Sequence, residues 1–382
     1  MFAILKGPYL QWPTQDPMTI MWETSDEATS EVSYSQTERV HRGLDGRHRT
    51  LDETLEVVRS DTLCRIHRIT IQGLESSTTY HYRVSSTGRD GETITSDEHP
   101  LKTAVRPDQP FSFTVTAETG GYGDDEINRL LFGQMVEKRP DFALFVGDVV
   151  ENGENYYEWG RYFFDPGNSL FHHTPFYLCM GNHEEQSEWF GKFVSYPEPT
   201  KYYSFDYGNA HFVALDSTSK GDYGDPARTQ EPTISMGQEQ IEFLVDDLRS
   251  SRAEWKVAFF HYPPYVSGDF QVEQMRALCP IFEEHGVDLV FNAHTLVYER
   301  SHPIRGNRLD TESGIVYVVA GVGGVVPNRM LHKREWHTAQ AFSVPHFVQV
   351  VIAGPTLELR AFDTQGHLFD TLLLNKSQGG SS

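Results

Sequence analysis

Alternation of apolar and polar residues at a period of two dominates the first hundred residues. Met18-Thr19-Ile20-Met21-Trp22, Glu31-Val32-Ser33-Tyr34, His67-Arg68-Ile69-Thr70-Ile71 and Tyr80-His81-Tyr82-Arg83-Val84 are segments of this kind, and turn-rich pieces separate them. A strand points successive side chains to opposite faces, so the pattern predicts half-buried strands and an all-β sandwich over residues 1–105.

The pattern changes between Thr103 and Pro110, where Pro107 and Pro110 mark a linker. Beyond it, apolar runs alternate with helical periodicity. Strands are predicted at 111–117, 142–146, 176–179, 257–260, 289–291, 315–319, 347–352 and 357–362, with a hairpin from 203–209 into 211–215. Ile127, Leu130, Leu131 and Met135 form one helical face, Ile241, Leu244, Val245 and Leu248 another, and a third helical stretch lies near Ile281-Phe282. Strand–helix alternation predicts a layered α/β domain over 106–375, with a flexible tail at 376–382.

The chain has 382 residues, enough for two domains with full cores. No run of about 18 apolar residues occurs, so no membrane span is expected. The opening MFAILKGPYLQWP has no basic start or long apolar stretch. The three cysteines, Cys64, Cys179 and Cys279, are odd in number and widely spaced, which predicts free thiols and a reducing compartment. A cytoplasmic location is therefore expected, or a secreted or periplasmic one if a leader has been removed. The formal net charge of −22 argues against nucleic acid and anionic membranes as partners. A small anionic substrate is expected, with a cation offsetting the field. Oligomeric state is not indicated.

In open α/β sheets, ligand groups gather past the C-terminal ends of strands. Five predicted strands here are followed in turn by Glu118-Thr119-Gly120-Gly121, by Gly147-Asp148-Val149-Val150-Glu151, by Gly181-Asn182-His183-Glu184, by His261, and by Asn292-Ala293-His294. Each taken alone is commonly a turn or a hydrogen-bonded surface residue. Together they assemble Asp, Asn and His donors that suit Zn, Mn or Fe.

The order GD, GNHE, FFHYPPY, AHTLVYER resembles the calcineurin-type metallophosphoesterases, most closely the purple acid phosphatases. The stretch GLESSTTYHYRV resembles a fibronectin type III-like sandwich of the kind those proteins carry in front, with Tyr80 as its corner tyrosine. The resemblance implies a four-layer α-β-β-α domain holding two metals roughly 3.5 Å apart. It implies Asp148 as the bridging ligand, with Asn182, His261 and His294 completing one metal site. His183 would lie beside the substrate without binding metal. The other site departs from the family pattern. Its aspartate is Glu118, its tyrosine is Glu151, its histidine is Leu296, and the glycine before His294 is Ala293.

One divalent metal is therefore expected, with a second weak or absent. Glu118, Glu151 and Asp148 would make a hard, all-oxygen second site. Left empty, their mutual repulsion would raise a carboxyl pKa and make Glu118 a candidate general acid or base beside His183. Three functions remain open. They are a phosphate-ester hydrolase running on one strong metal, elimination or another hydrolysis of an anionic substrate on the same scaffold, and a catalytically silent metal-containing binding module.

Overall fold

The alternating segments that begin at Met18 and Glu31 are parts of one strand. In the computed structural model, which describes residues 2–36, 55–121, 125–218, 236–268, 270–328 and 334–376, β2 runs Met18–Gln36. Its companions are β1 Ile4–Gln11, β3 Glu56–Ile71, β4 Thr79–Thr87, β5 Thr93–Thr95 and β6 His99–Lys102. The first half of β2 pairs with β1 and the second half with β4, while β3 follows it along most of its length. Register shifts between Glu23 and Ser30 bend the ladder at mid-strand. Leu10, Ile20, Trp22, Val32, Ile71, Tyr82 and Val84 fill one core between the strands. The Tyr80 hydroxyl accepts the Glu75 N–H at 2.8 Å, as expected of a corner tyrosine.

Chain contacts divide the protein into two compact units, 1–105 with 168–175 and 106–167 with 176–382. Residues 377–382 of the expected tail lie outside the described residues.

The second unit carries two sheets. Its strands are β7 Phe111–Thr116, β8 Phe142–Phe145, β9 Phe176–Leu178, β10 Tyr203–Tyr207, β11 Ala210–Ala214, β12 Trp255–Phe259, β13 Leu289–Asn292, β14 Tyr298–Ser301, β15 Ile304–Arg305, β16 Arg308–Leu309, β17 Val316–Ala320, β18 Thr338–Phe342, β19 His346–Ala353, β20 Thr356–Asp363 and β21 Leu368–Asn375. One sheet runs β10-β11-β12-β13-β17-β14-β18 and the other β21-β20-β19-β7-β8-β9, with β15–β16 a separate hairpin. Within each, the neighbouring strands that lead to the candidate site are parallel.

The inner faces meet through aromatic rings. Phe113 packs edge-on to Phe212 at 5.2 Å and Phe142 to Phe205 at 5.8 Å. On the outside of one sheet lies the helix Asp125–Glu137, with Phe132 against Phe145. Outside the other, the helices Gln238–Ser250 and Cys279–Glu284 bury Leu244, Leu248 and Phe282 against Val213, Ala258, Phe260 and Val290. This is the expected all-β unit followed by an α/β unit of four layers. The face of helix Asp125–Glu137 differs from expectation in one respect. Leu130 is exposed and Asn128 is buried, because the Asn128 amide finds the carbonyls of Thr119 (2.8 Å) and Tyr162 (3.3 Å).

Cys179 and Cys279 are buried and Cys64 is partly so, all three free. Among the described residues no helix is long and apolar enough to cross a membrane.

His211 ties three elements together. Its Nδ1 meets Asp206 of β10 and its Nε2 meets Asp247 of the helix Gln238–Ser250, both at 2.7 Å. Burial alone would depress the ring's pKa, but the two carboxylates overcome it and raise it from 6.5 to about 9. The charged ring stabilises the fold fully below pH 6.5 and loses that effect as pH rises through about 9. His211→Gln should lower Tm by about 3 °C at pH 7 and by almost nothing at pH 10, measured by circular dichroism. An equal loss at both would show that packing, not charge, matters.

Candidate metal centre

Five strand ends converge. Glu118 follows β7, Asp148 follows β8, Asn182, His183 and Glu184 follow β9, His261 follows β12 and His294 follows β13. Ligand atoms of Asp148, His261 and His294 all lie within 4.8 Å of one another. The His261 Nε2 is 3.0 Å from Asp148 Oδ2 and 3.0 Å from Asn182 Oδ1. His183 sits at the edge, its Nε2 3.9 Å from Asp148 Oδ2.

Glycines let these loops touch. A side chain at Gly181 would place its Cβ 2.1 Å from Asp148 Oδ1. At Gly147, with φ +85°, a Cβ would stand 2.8 Å from His261 Nδ1. Glu118, Asp148 and His294 themselves have positive φ, at 55°, 53° and 67°. Non-glycine residues in this conformation cost about 1 kcal/mol or more each, so local bonds must hold them.

Glu184 supplies those bonds for Asp148. Its buried carboxylate accepts the backbone N–H groups of Asp148 (2.9 Å), Val149 (2.8 Å) and Gly181 (2.5 Å). It thereby clamps the Asp148 turn to the Gly181 turn. Burial, with Asp148 nearby, raises its pKa to about 7. In the sequence this residue stands within GNHE, where no task is evident for it; only the folded loops show that it faces backbone. Glu118 does the same for His294, whose N–H it accepts at 2.7 Å. Burial and the charge of Asp148 raise Glu118 well above the usual carboxylate range.

The donor set fits a cation. His261 Nδ1 lies 2.8 Å from the Val146 carbonyl, so it carries the ring proton there. That leaves Nε2 facing the oxygens of Asp148 and Asn182. Burial depresses the His261 ring, but the adjacent Asp148 charge outweighs it and raises the pKa. Burial also works against the Asp148 charge, yet His261 and His183 hold its pKa low. His294 Nε2 is buried without a hydrogen-bond partner, and burial together with His261 lowers that ring to about 3. A neutral imidazole with an unused lone pair is ready for a metal rather than a proton.

The second set of positions is differently arranged. Glu151 turns its carboxylate towards Gly121, where a Cβ would meet Oε2 at 2.6 Å. Its backbone carbonyl accepts His183 Nδ1–H at 2.8 Å. Leu296 is half-buried and supplies no donor side chain. Among the described residues the grouping of Asp148, His261 and His294 is the one with metal-binding spacing.

Several further histidines, aromatic residues and an arginine have structural surroundings. Arg300 forms a two-pronged pair with Asp370 (2.6 and 3.0 Å). Trp159 is buried and Tyr157 exposed. His172 bonds the Pro8 carbonyl and stacks on His99 within the N-terminal unit. His337 is buried beside Tyr265 and Trp336; His332 lies outside the described residues.

Residues 93–298 match the family described as calcineurin-like phosphoesterase, and residues 5–103 match the purple acid phosphatase N-terminal domain. The chain belongs to the calcineurin-like phosphoesterases, and its centre is a divergent, partly dismantled version of the purple acid phosphatase type. Purple acid phosphatase 15 of Arabidopsis thaliana is 27% identical over 306 residues, covering 68% of this chain and 53% of the relative. Purple acid phosphatase 18 of the same plant is 26% identical over 330 residues, covering 80% and 68%. The chain thus spans about half to two thirds of these relatives. In fold it matches a purple acid phosphatase from yellow lupin (Lupinus luteus) seeds, with TM-score 0.79 at 17% identity over 97% of this chain and 74% of that one. It also matches PhoD, with TM-score 0.66 at 14% identity over 97% and 92%.

Removing the Glu184 clamp tests the geometry. Glu184→Gln presents an amide donor to N–H donors and should weaken Zn²⁺ binding about tenfold or more, read by competition with a chelating dye. Unchanged affinity would show that Asp148 keeps its place unaided.

Proposed function

We propose that this chain hydrolyses a phosphate ester with one firmly held divalent ion. The observation that carries this is the unpartnered, buried Nε2 of His294 beside the oxygen-facing Nε2 of His261 and the charge of Asp148. Asp148, Asn182, His261 and His294 would hold the ion, with Zn, Mn or Fe suited to that donor mix. Bound there, it would supply positive charge to phosphoryl oxygens and acidify water.

The protein's own groups do the rest. His183 is held by its Nδ1–H on the Glu151 carbonyl, leaving Nε2 towards the site. Burial opposes charge on this ring, but Asp148 and Glu151 overcome it and raise the pKa. A protonated His183 can then give its proton to the leaving oxygen. Glu118 accepts the His294 N–H, which supports a role in holding that ligand.

Leu296 favours a second reading, in which the same ion steadies another anionic group while His183 moves a proton in an elimination or a different hydrolysis. The survival of His183 speaks against a silent binding module, which would not need it.

An aryl phosphate assayed from pH 4 to 9 with Mn²⁺ or Zn²⁺ should be turned over. His183→Ala should lower kcat about 100-fold with metal content unchanged, whereas His261→Ala should lose the metal. Absence of turnover despite a bound ion would overturn phosphoester hydrolysis in favour of the second reading. Metal analysis should find one tight ion per chain. The triple replacement Glu118→Asp, Glu151→Tyr, Leu296→His should bring this to two; two tight ions in the unaltered protein would contradict the single-site account.

A further inference from the structure

On the side of the centre where Leu296 stands, apolar side chains lie beside the carboxylates of Glu118 and Glu151. Leu296 stands two residues beyond His294, and its carbonyl accepts the Asn328 N–H at 2.9 Å. The N–H groups of Gly324 and Val325 donate to the Glu118 carbonyl at 3.0 and 3.3 Å. The segment 324–328 therefore runs from Glu118 to Leu296, along the flank where a second ion would need donors. It carries Val326, which is 68% exposed. Against His294 itself lies Phe270, its ring 5.6 Å from the imidazole and 49% exposed. Phe270 has φ +60°, a conformation that bulky residues rarely adopt.

Resting on the reading above, we propose that Leu296, Val326 and Phe270 form a subsite for an apolar, uncharged group that the substrate carries next to its anionic head. An aliphatic and aromatic wall gains from covering a ring or alkyl chain. A second phosphate placed there would lose water and meet carboxylates of like charge instead of a partner. The net charge of −22 adds to the penalty for a polyanion. The substrate class is thus a small aryl or alkyl ester with a single anionic group, not a polyphosphate.

The test uses stable anions, so that it does not depend on turnover. Calorimetric titration of the Zn²⁺-loaded chain should show phenylphosphonate binding at least tenfold more tightly than methylphosphonate. Phe270→Ala combined with Val326→Ser should bring the two within about twofold while leaving methylphosphonate affinity, and hence the fold and the metal centre, unchanged. Equal affinities in the unaltered protein would overturn the subsite while keeping the anion at the metal. A preference that survives the double replacement would overturn these residues as its source. Failure of both phosphonates to bind would overturn the anion-at-metal reading itself.

Discussion

An excess of lone pairs over protons governs the centre of this protein. His261 spends its one certain ring proton on Val146, and its other nitrogen faces a carboxylate and an amide oxygen. His294 adds a nitrogen with nothing to bond. Buried acceptors crowded together repel unless a positive charge lies among them. A proton on His261 answers part of that need, and a divalent ion would answer all of it. Everything else described around the site serves to keep these acceptors close.

That service is rendered mainly by carboxylates facing backbone. Glu184 and Glu118 each accept from main-chain N–H groups of strained residues. Each such bond satisfies a backbone N–H that a left-handed turn would otherwise leave buried and unpaired, which suits these acids to hold the turns. The glycines at 147 and 181 make the approach possible, since either side chain would collide with the neighbouring loop. Geometry of the metal-binding group and conformational strain are thus two aspects of one arrangement.

Much of this was legible in the sequence because the central strands are buried on both faces. Residues 142–146 and 289–291 read as unbroken apolar runs, so their ends could be located and the polar residues beyond them noticed. Tyr80 was legible through its turn. Where a partner comes from far along the chain, the pattern failed. Asn128 lies on the buried face with Leu131 and Met135, where its amide meets carbonyls at Thr119 and Tyr162, while Leu130 is exposed on the opposite side. The strands Tyr298–Ser301 and Thr338–Phe342 were not legible either, because four and five residues of mixed polarity are too short to display a period. The position of Glu118 past its strand was legible, but the bond from its oxygen to the His294 N–H was not, because that partner lies far along the chain.

The long strand of the N-terminal unit has a consequence of another kind. Because Met18–Gln36 lends one end to β1 and the other to β4, a single strand joins both halves of the described part of that unit. Unzipping either end frees residues that the other end depends upon. The unit should therefore melt as a single thermodynamic body, with amides at both extremities sharing one opening event.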